Sequence, residues 1–345
     1  MTRVAGVDPG TVSFDVCALD DGEVVLERSF STDDVGADPV PLVETLTGQG
    51  PFDLVVGPAG YGLPLVPAEQ VGERELALMV LLRSDEPRGR VGVGGMRAIV
   101  RALIAAGVPL VFGPGAIHLP TIPAYRKWNR IDVGTADKVA SAALCVADQA
   151  RRLKIDFAET SFVMLELGGA FTAALAVEGG RIVDGLGGSA GPIGARACGA
   201  LDAEVAYLIG AALSKRTVFS GGALGDVDLS EGLEAVRDRE GWLALEEGAA
   251  KAALALTASV PAPREILLAG RLARGMIDGL TARIAHVAPV RIAAGFGAAH
   301  GAAVIADGLV GGRYAALVER LGVRDASGTA LDHLRLHGAD RIQLR

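Results

Sequence analysis

Two short stretches of this chain pair a carboxylate with glycine in a way suited to phosphate chemistry. The first is Val7-Asp8-Pro9-Gly10-Thr11, where Asp8 ends an apolar run and Gly10, Thr11 and Ser13 follow within five residues. Glycine lets backbone N–H groups approach phosphate oxygens, Thr11 and Ser13 add donors, and Asp8 is a suitable ligand for Mg²⁺, which keeps much of its water. The structural alternative is an Asp-Pro-Gly turn in which Asp8 caps its own backbone. Repetition favours chemistry. The pattern returns 158 residues later, with Asp8 falling on Glu166, Gly10 on Gly168, Gly22 on Gly180 and Val25 on Val183 without a gap. A doubled unit fixes architecture, so Asp8 and Glu166 are expected to face each other across the junction of two halves. There they would hold Mg²⁺ through water, beside Gly168 and Gly169.

The densest polar segment is Tyr125–Lys138. Gly134-Thr135 suits a helix start, with Thr135 near the N-cap and Asp137 in the first turn. The functional counterpart is an anionic-substrate site: Arg130 and Lys138 neutralise a carboxylate or a moving phosphoryl group, and Asp132 orients or deprotonates an acceptor. An acceptor already ionised at pH 7 needs no base, which shifts the weight to Lys138 and Arg130. Ile266–Leu272 is an apolar strand running into Gly270 and Arg271, and Phe219–Leu224 carries Gly221 and Gly222. The Arg90–Arg97 loop lacks the Lys-Ser/Thr ending of a P-loop.

These groups need a scaffold. At about 150 residues per domain, 345 residues suggest two domains. The first thirty residues read as three strands, with a hairpin turn at Asp20–Gly22. Phe52–Val56 and Pro109–Phe112 read as strands, and Val71–Arg83, Met96–Ala106 and Asp132–Leu153 as helices. In the second half, helices are expected at 202–213, 241–259, 273–287 and 297–307, with strands at 265–269 and 290–293. Alternating strands and helices give α/β layering. The halves are 1–155 and 156–345, joined near Lys154–Thr160.

Composition excludes several classes. Half of the residues are hydrophobic and 21% are charged, which is incompatible with disorder. No stretch approaches the roughly 20 apolar residues of a membrane helix, and no secretory signal opens the chain. The expected location is therefore cytoplasmic, with no membrane partner. A formal charge of −8 without a basic run argues against nucleic acid. The three widely spaced cysteines suit neither a disulfide framework nor a zinc site. The partner left is a small-molecule acceptor; a homodimer is compatible with this composition.

The two hairpins resemble the phosphate loops of the superfamily containing acetate and sugar kinases, heat-shock chaperones and actin. That resemblance implies two ribonuclease-H-like domains closing over ATP and Mg²⁺. It places Gly10, Thr11, Ser13, Gly168 and Gly169 at the phosphates and Gly270 and Arg271 at the adenosine, with Gly221 and Gly222 in a second nucleotide-side loop. Gly297–Val304 resembles the small-residue helix that packs at the hinge. More narrowly, Val7–Thr11, Val56–Gly62 and Lys127–Lys138 resemble a family labelled predicted butyrate kinase, which implies phosphorylation of a carboxylate. The second loop departs from the superfamily: Glu166 stands where aspartate is usual. The rival reading is a nucleotide-gated, chaperone-like ATPase without a small acceptor.

Overall fold

The computed structural model describes residues 1–86, 93–225, 240–295 and 297–345. The expected meander is present as β1 (Arg3–Pro9), β2 (Ser13–Asp20) and β3 (Glu23–Ser31), each antiparallel to the next. Parallel strands β4 (Leu54–Gly57) and β6 (Leu110–Phe112) extend it, and β5 (Val66–Pro67) closes the edge. The sheet order is β3-β2-β1-β4-β6-β5.

The second half repeats the plan. Strands β7 (Ser161–Leu167), β8 (Thr172–Glu178) and β9 (Arg181–Leu186) form a meander, and β10 (Glu265–Ala269) and β11 (Val290–Ile292) add in parallel. Its order is β11-β10-β7-β8-β9. Even the irregularities repeat. The β2–β3 register shifts between Ala18 and Leu19, and the β8–β9 register between Ala176 and Val177, at the offset that relates Asp8 to Glu166. β-Bulges are built features of a strand pair, so their coincidence marks a true duplication. The chain is an α/β protein of two related sheets.

Helices fill the layers: α1 (Thr32–Ala37), α2 (Val40–Gly48), α3 (Glu73–Val80) and α4 (Val93–Ala105), then α5 (Ala124–Lys127) and α6 (Ala136–Leu153). The second half adds α7 (Ala203–Ile209), α8 (Lys215–Val218), α9 (Glu240–Leu256), α10 (Ala273–Ile284), α11 (Gly297–Leu309) and α12 (Ala315–Leu321). The helix expected over Val71–Arg83 is shorter because Leu81 turns left-handed at φ 50° and ends it. Similarly, α6 starts at Ala136 rather than Asp132, whose carboxylate accepts from Gly134 N at 3.1 Å. The helix expected to reach Leu213 stops at Ile209 and tightens to a 3₁₀ turn over Gly210–Ala212. Helices α1, α2, α5, α8 and α12 and strand β5 were not expected from the sequence.

Helices α6 and α11 form the layer between the sheets, in one apolar cluster with Val4 and Cys17 of the first sheet and Phe162 and Met164 of the second. The approach is close enough to demand glycine. A Cβ on Gly6 would lie 2.3 Å from the Ala299 carbonyl, and one on Gly301 would lie 1.9 Å from that of Ala140. The small-residue helix thus makes the close packing that its resemblance implied. Beneath it, Glu265 is buried and receives Arg152 Nη2 at 2.7 Å and Gln149 Nε2 at 2.8 Å, tying α6 to β10. Among the described residues no helix is long and apolar enough to cross a membrane.

Candidate functional site

The tips of the two meanders meet. Chain reversal after β1 needs Gly10, whose Cβ would fall 2.6 Å from the Ser13 carbonyl; after β7 it needs Gly168, whose N–H donates to the Phe171 carbonyl at 2.9 Å. A Cβ on Gly169 would lie 3.0 Å from Val12 Cγ2, so the loops touch across a cleft. That cleft is a cavity of about 1380 Å³. It is lined by Asp8, Gly10, Thr11, Ser13, Asp132, Lys138, Glu166, Gly168, Gly169, Gly270 and Arg271. Along β7 every residue except Glu166 is buried, so this one side chain opens to the cavity. At the end of β10, Gly270 takes φ 87°, and a Cβ there would meet the Leu167 carbonyl at 2.6 Å. That conformation and contact both require glycine.

The centre of the cleft is a charge cluster. Lys138, in the first turn of α6, places Nζ 2.9 Å from Glu166 Oε2 and 2.5 Å from Asp137 Oδ2. Asp137 also accepts from Thr135 Oγ1. Thr135 is the N-cap residue by position, yet its hydroxyl serves this carboxylate and not the backbone. Burial pushes the Asp8 carboxyl well above its usual range, and neighbouring Asp137 adds to the rise against the pull of Lys138. Burial likewise raises Glu166, against Lys138. Burial opposes ionisation of Asp137, but Lys138 outweighs it and holds that carboxyl low. The Lys138 ammonium is desolvated yet held above its ordinary value by Asp137 and Glu166.

One oxygen stands out. Asp8 Oδ1 is shielded from solvent and, among the described residues, has no hydrogen-bond partner; Glu166 Oε2 is shielded likewise but faces the Lys138 ammonium. A buried, unpaired carboxylate oxygen is costly unless a cation reaches it. Its chemistry fits a hard divalent cation such as Mg²⁺. Glu166 fits less directly, because Lys138 already neutralises it.

Some expected site residues lie elsewhere. Arg130 is absent from the cleft wall; its Nη1 donates to the Gly185 carbonyl at 3.1 Å. Arg126 and Thr121 donate to the Val183 and Ile182 carbonyls at 2.7 and 2.6 Å. Strand β9 is a sheet edge, and these side chains cover its carbonyls, as exposed edges require. Gly221 and Gly222 also miss the cleft. Gly222 packs on the Arg196 backbone, its N–H on that carbonyl at 2.8 Å, and so braces the segment presenting Arg196 to the cavity. Ser13 lines the cleft, but its hydroxyl donates to Asp15 at 3.1 Å. Asp132 is buried and accepts from Ser189 N and Oγ at 2.9 and 3.0 Å. Of the Arg90–Arg97 loop, residues 90–92 lie outside the described residues.

The sequence reading missed Tyr61, Arg196 and Arg274, which line the cavity, and assigned Asp137 only a helix-start role. The Gly60-Tyr61-Gly62 bracket was the one available signal for Tyr61.

No curated protein sequence matches the chain significantly. Its fold is similar to a propionate kinase from Francisella tularensis, with 11% identity and a TM-score of 0.60 over 88% of this chain and 98% of that one. It is also similar to the acetate kinase of Entamoeba histolytica, with 10% identity and a TM-score of 0.55 over 83% and 87%. For acetate kinase from Porphyromonas gingivalis the values are 14% and 0.55 over 83% and 88%. The architecture is therefore the two-domain actin-like ATPase fold. Residues 6–336 match the family described as protein of unknown function (DUF1464), and the chain belongs to that family.

Proposed function

We propose that this protein is an ATP- and Mg²⁺-dependent phosphotransferase acting on a small carboxylate. The observation that carries the reading is the solvent-shielded, unpartnered Asp8 Oδ1 in a cleft walled by two glycine loops of duplicated origin. The likeness of the fold to acetate and propionate kinases supports the same reaction class.

Asp8 would hold Mg²⁺, with Glu166 reaching it through water. When bound, the metal would neutralise phosphate charge. The chain's own residues supply the rest. Backbone N–H groups at Gly10 and Gly169 bind phosphate oxygens, and Arg271, beside Gly169, adds a cation on the nucleotide side. Lys138 is held protonated between Asp137 and Glu166 and stabilises negative charge as the phosphoryl group moves. A carboxylate acceptor enters ionised, so Asp132 orients and does not deprotonate; its oxygens are engaged by Gly134 and Ser189. Catalysis is then positioning and charge neutralisation.

The test is acceptor-stimulated ADP release across a panel of carboxylates, polyols and sugars. Stimulation by acids is expected. Stimulation by sugars alone would contradict the acceptor class, and slow ADP release that no acceptor changes would favour a nucleotide-gated ATPase.

A further inference from the structure

The first sheet carries a set of donors that the phosphate cluster does not use. Cys17 on β2 stands directly across from Gly6 on β1 and from Glu27 on β3, and cross-strand partners share a face. Cys17 packs in one cluster with Val4, Leu19, Ala299 and Ala303, so this is the face that α11 covers. The helix comes down on Gly6, where a Cβ would meet the Ala299 carbonyl at 2.3 Å. His300 is the next residue of α11. One donor atom each from Cys17, Glu27 and His300 lies within 4.8 Å of the others.

Burial is graded across the three. The Cys17 thiol is the buried floor, His300 is half-buried, and Glu27 is exposed on the outermost strand, where water and ions arrive. None of the three lines the cleft, although the His300 ring abuts its wall. A Cβ on Gly295, which does face the cavity, would lie 2.9 Å from His300 Nδ1.

Thiol, imidazole and carboxylate together form the donor set of a borderline-soft ion. Mg²⁺ and Ca²⁺ select oxygen, whereas Zn²⁺ takes sulfur, nitrogen and oxygen in tetrahedral geometry. A tetrahedral ion draws its donors to about 3.5 Å from one another, and the exposed Glu27 side chain has three torsions with which to close that gap. Burial lowers His300 below its ordinary value against the pull of Glu27, so at neutral pH its ring offers a lone pair. Without a metal, burial and then Glu27 push the Cys17 thiol up to about 12. Binding therefore forms a Zn–S bond and sends the thiol proton to solvent, with no change of oxidation state.

We propose that Cys17, Glu27 and His300 bind one Zn²⁺, with water as the fourth ligand, and that the ion fastens α11 to the outer strands of the first sheet. Cysteine spacing along the chain argues against zinc, but these ligands converge from three elements and only one of them is cysteine. The site is independent of the phosphotransferase reading.

The experiment titrates Zn²⁺ into the full chain, stripped of metal by chelator, with excess Mg²⁺ present to occupy oxygen-only sites. Calorimetry should give one Zn²⁺ per chain. Co²⁺ in its place should show the near-ultraviolet thiolate-to-cobalt absorption, lost in Cys17→Ser and kept in Cys198→Ser. Glu27→Gln, on an exposed position that leaves the core intact, and His300→Ala should each weaken Zn²⁺ binding at least about tenfold. Zn²⁺ should raise the wild-type Tm, since an ion joining three elements favours the folded chain, and Glu27→Gln should lose that rise. No Zn²⁺ bound by the wild type, undiminished affinity in either of those two variants, a cobalt band that follows Cys198, or a Tm that Zn²⁺ leaves unchanged would overturn the site. Each of those results would leave the phosphotransferase reading standing.

Discussion

Lys138 Nζ lies 2.9 Å from Glu166 Oε2, so the helix that closes the first half supplies the counter-ion for the carboxylate beside the second glycine loop. The pair is largely buried, at 13% side-chain exposure for each partner. Removing one partner strands the other. Lys138→Met should cost about 3–5 kcal/mol of stability, measured by denaturant unfolding, and Glu166→Gln in the same background should restore part of it. Equal stability of Lys138→Met and wild type would show that the pair contributes nothing.

Asp8 carries the opposite sign. Its carboxyl is raised, first by burial and then by Asp137, so the folded protein holds that proton more tightly than the unfolded chain. The penalty for ionising Asp8 is absent below the unfolded value of 3.8, grows as pH rises towards the raised folded value, and persists above it. Asp8→Asn should therefore raise Tm at neutral pH and leave it unchanged near pH 3.5. Lower stability at neutral pH would contradict the burial argument.

At the interface of α6 and α11, a methyl on Gly301 would meet the Ala140 carbonyl at 1.9 Å. That carbonyl is helix backbone and cannot swing aside. Gly301→Ala should destabilise by about 1–3 kcal/mol or more, read as a fall in Tm. An unchanged Tm would mean that the helices separate freely.

Gly187 guards Asp132. A Cβ there would fall 1.7 Å from Asp132 Oδ1. Gly187→Ala should displace that carboxylate and lower acceptor-dependent kcat about a hundredfold, the scale of a 1 Å misplacement. MgATP affinity should change little. Wild-type turnover in this variant would remove Asp132 from the acceptor site.

Much of this was legible because a meander is local: one offset predicted both loops, and the strand pairs follow it to the bulges. Side-chain direction was less accessible. Arg130 reads as a substrate cation, and only the position of β9 as a sheet edge shows why it binds a carbonyl. Asp137 reads as a helix-start residue until α6 docks between the loops and brings it to Asp8. Tyr61 reaches the cleft from a loop without periodicity, brought there only by packing. Cys17, Glu27 and His300, whose ligand atoms lie within 4.8 Å of one another, are likewise united only by packing.

The central claim is that Asp8 makes this cleft a metal–nucleotide site, and calorimetric titration of MgATP into wild type and Asp8→Asn tests it most directly. Wild type should bind MgATP and bind ATP with EDTA at least about tenfold more weakly. Asp8→Asn, folded by circular dichroism, should lose that metal-dependent difference and its acceptor-stimulated ADP release. Equal MgATP affinity and turnover in the two proteins would contradict the account.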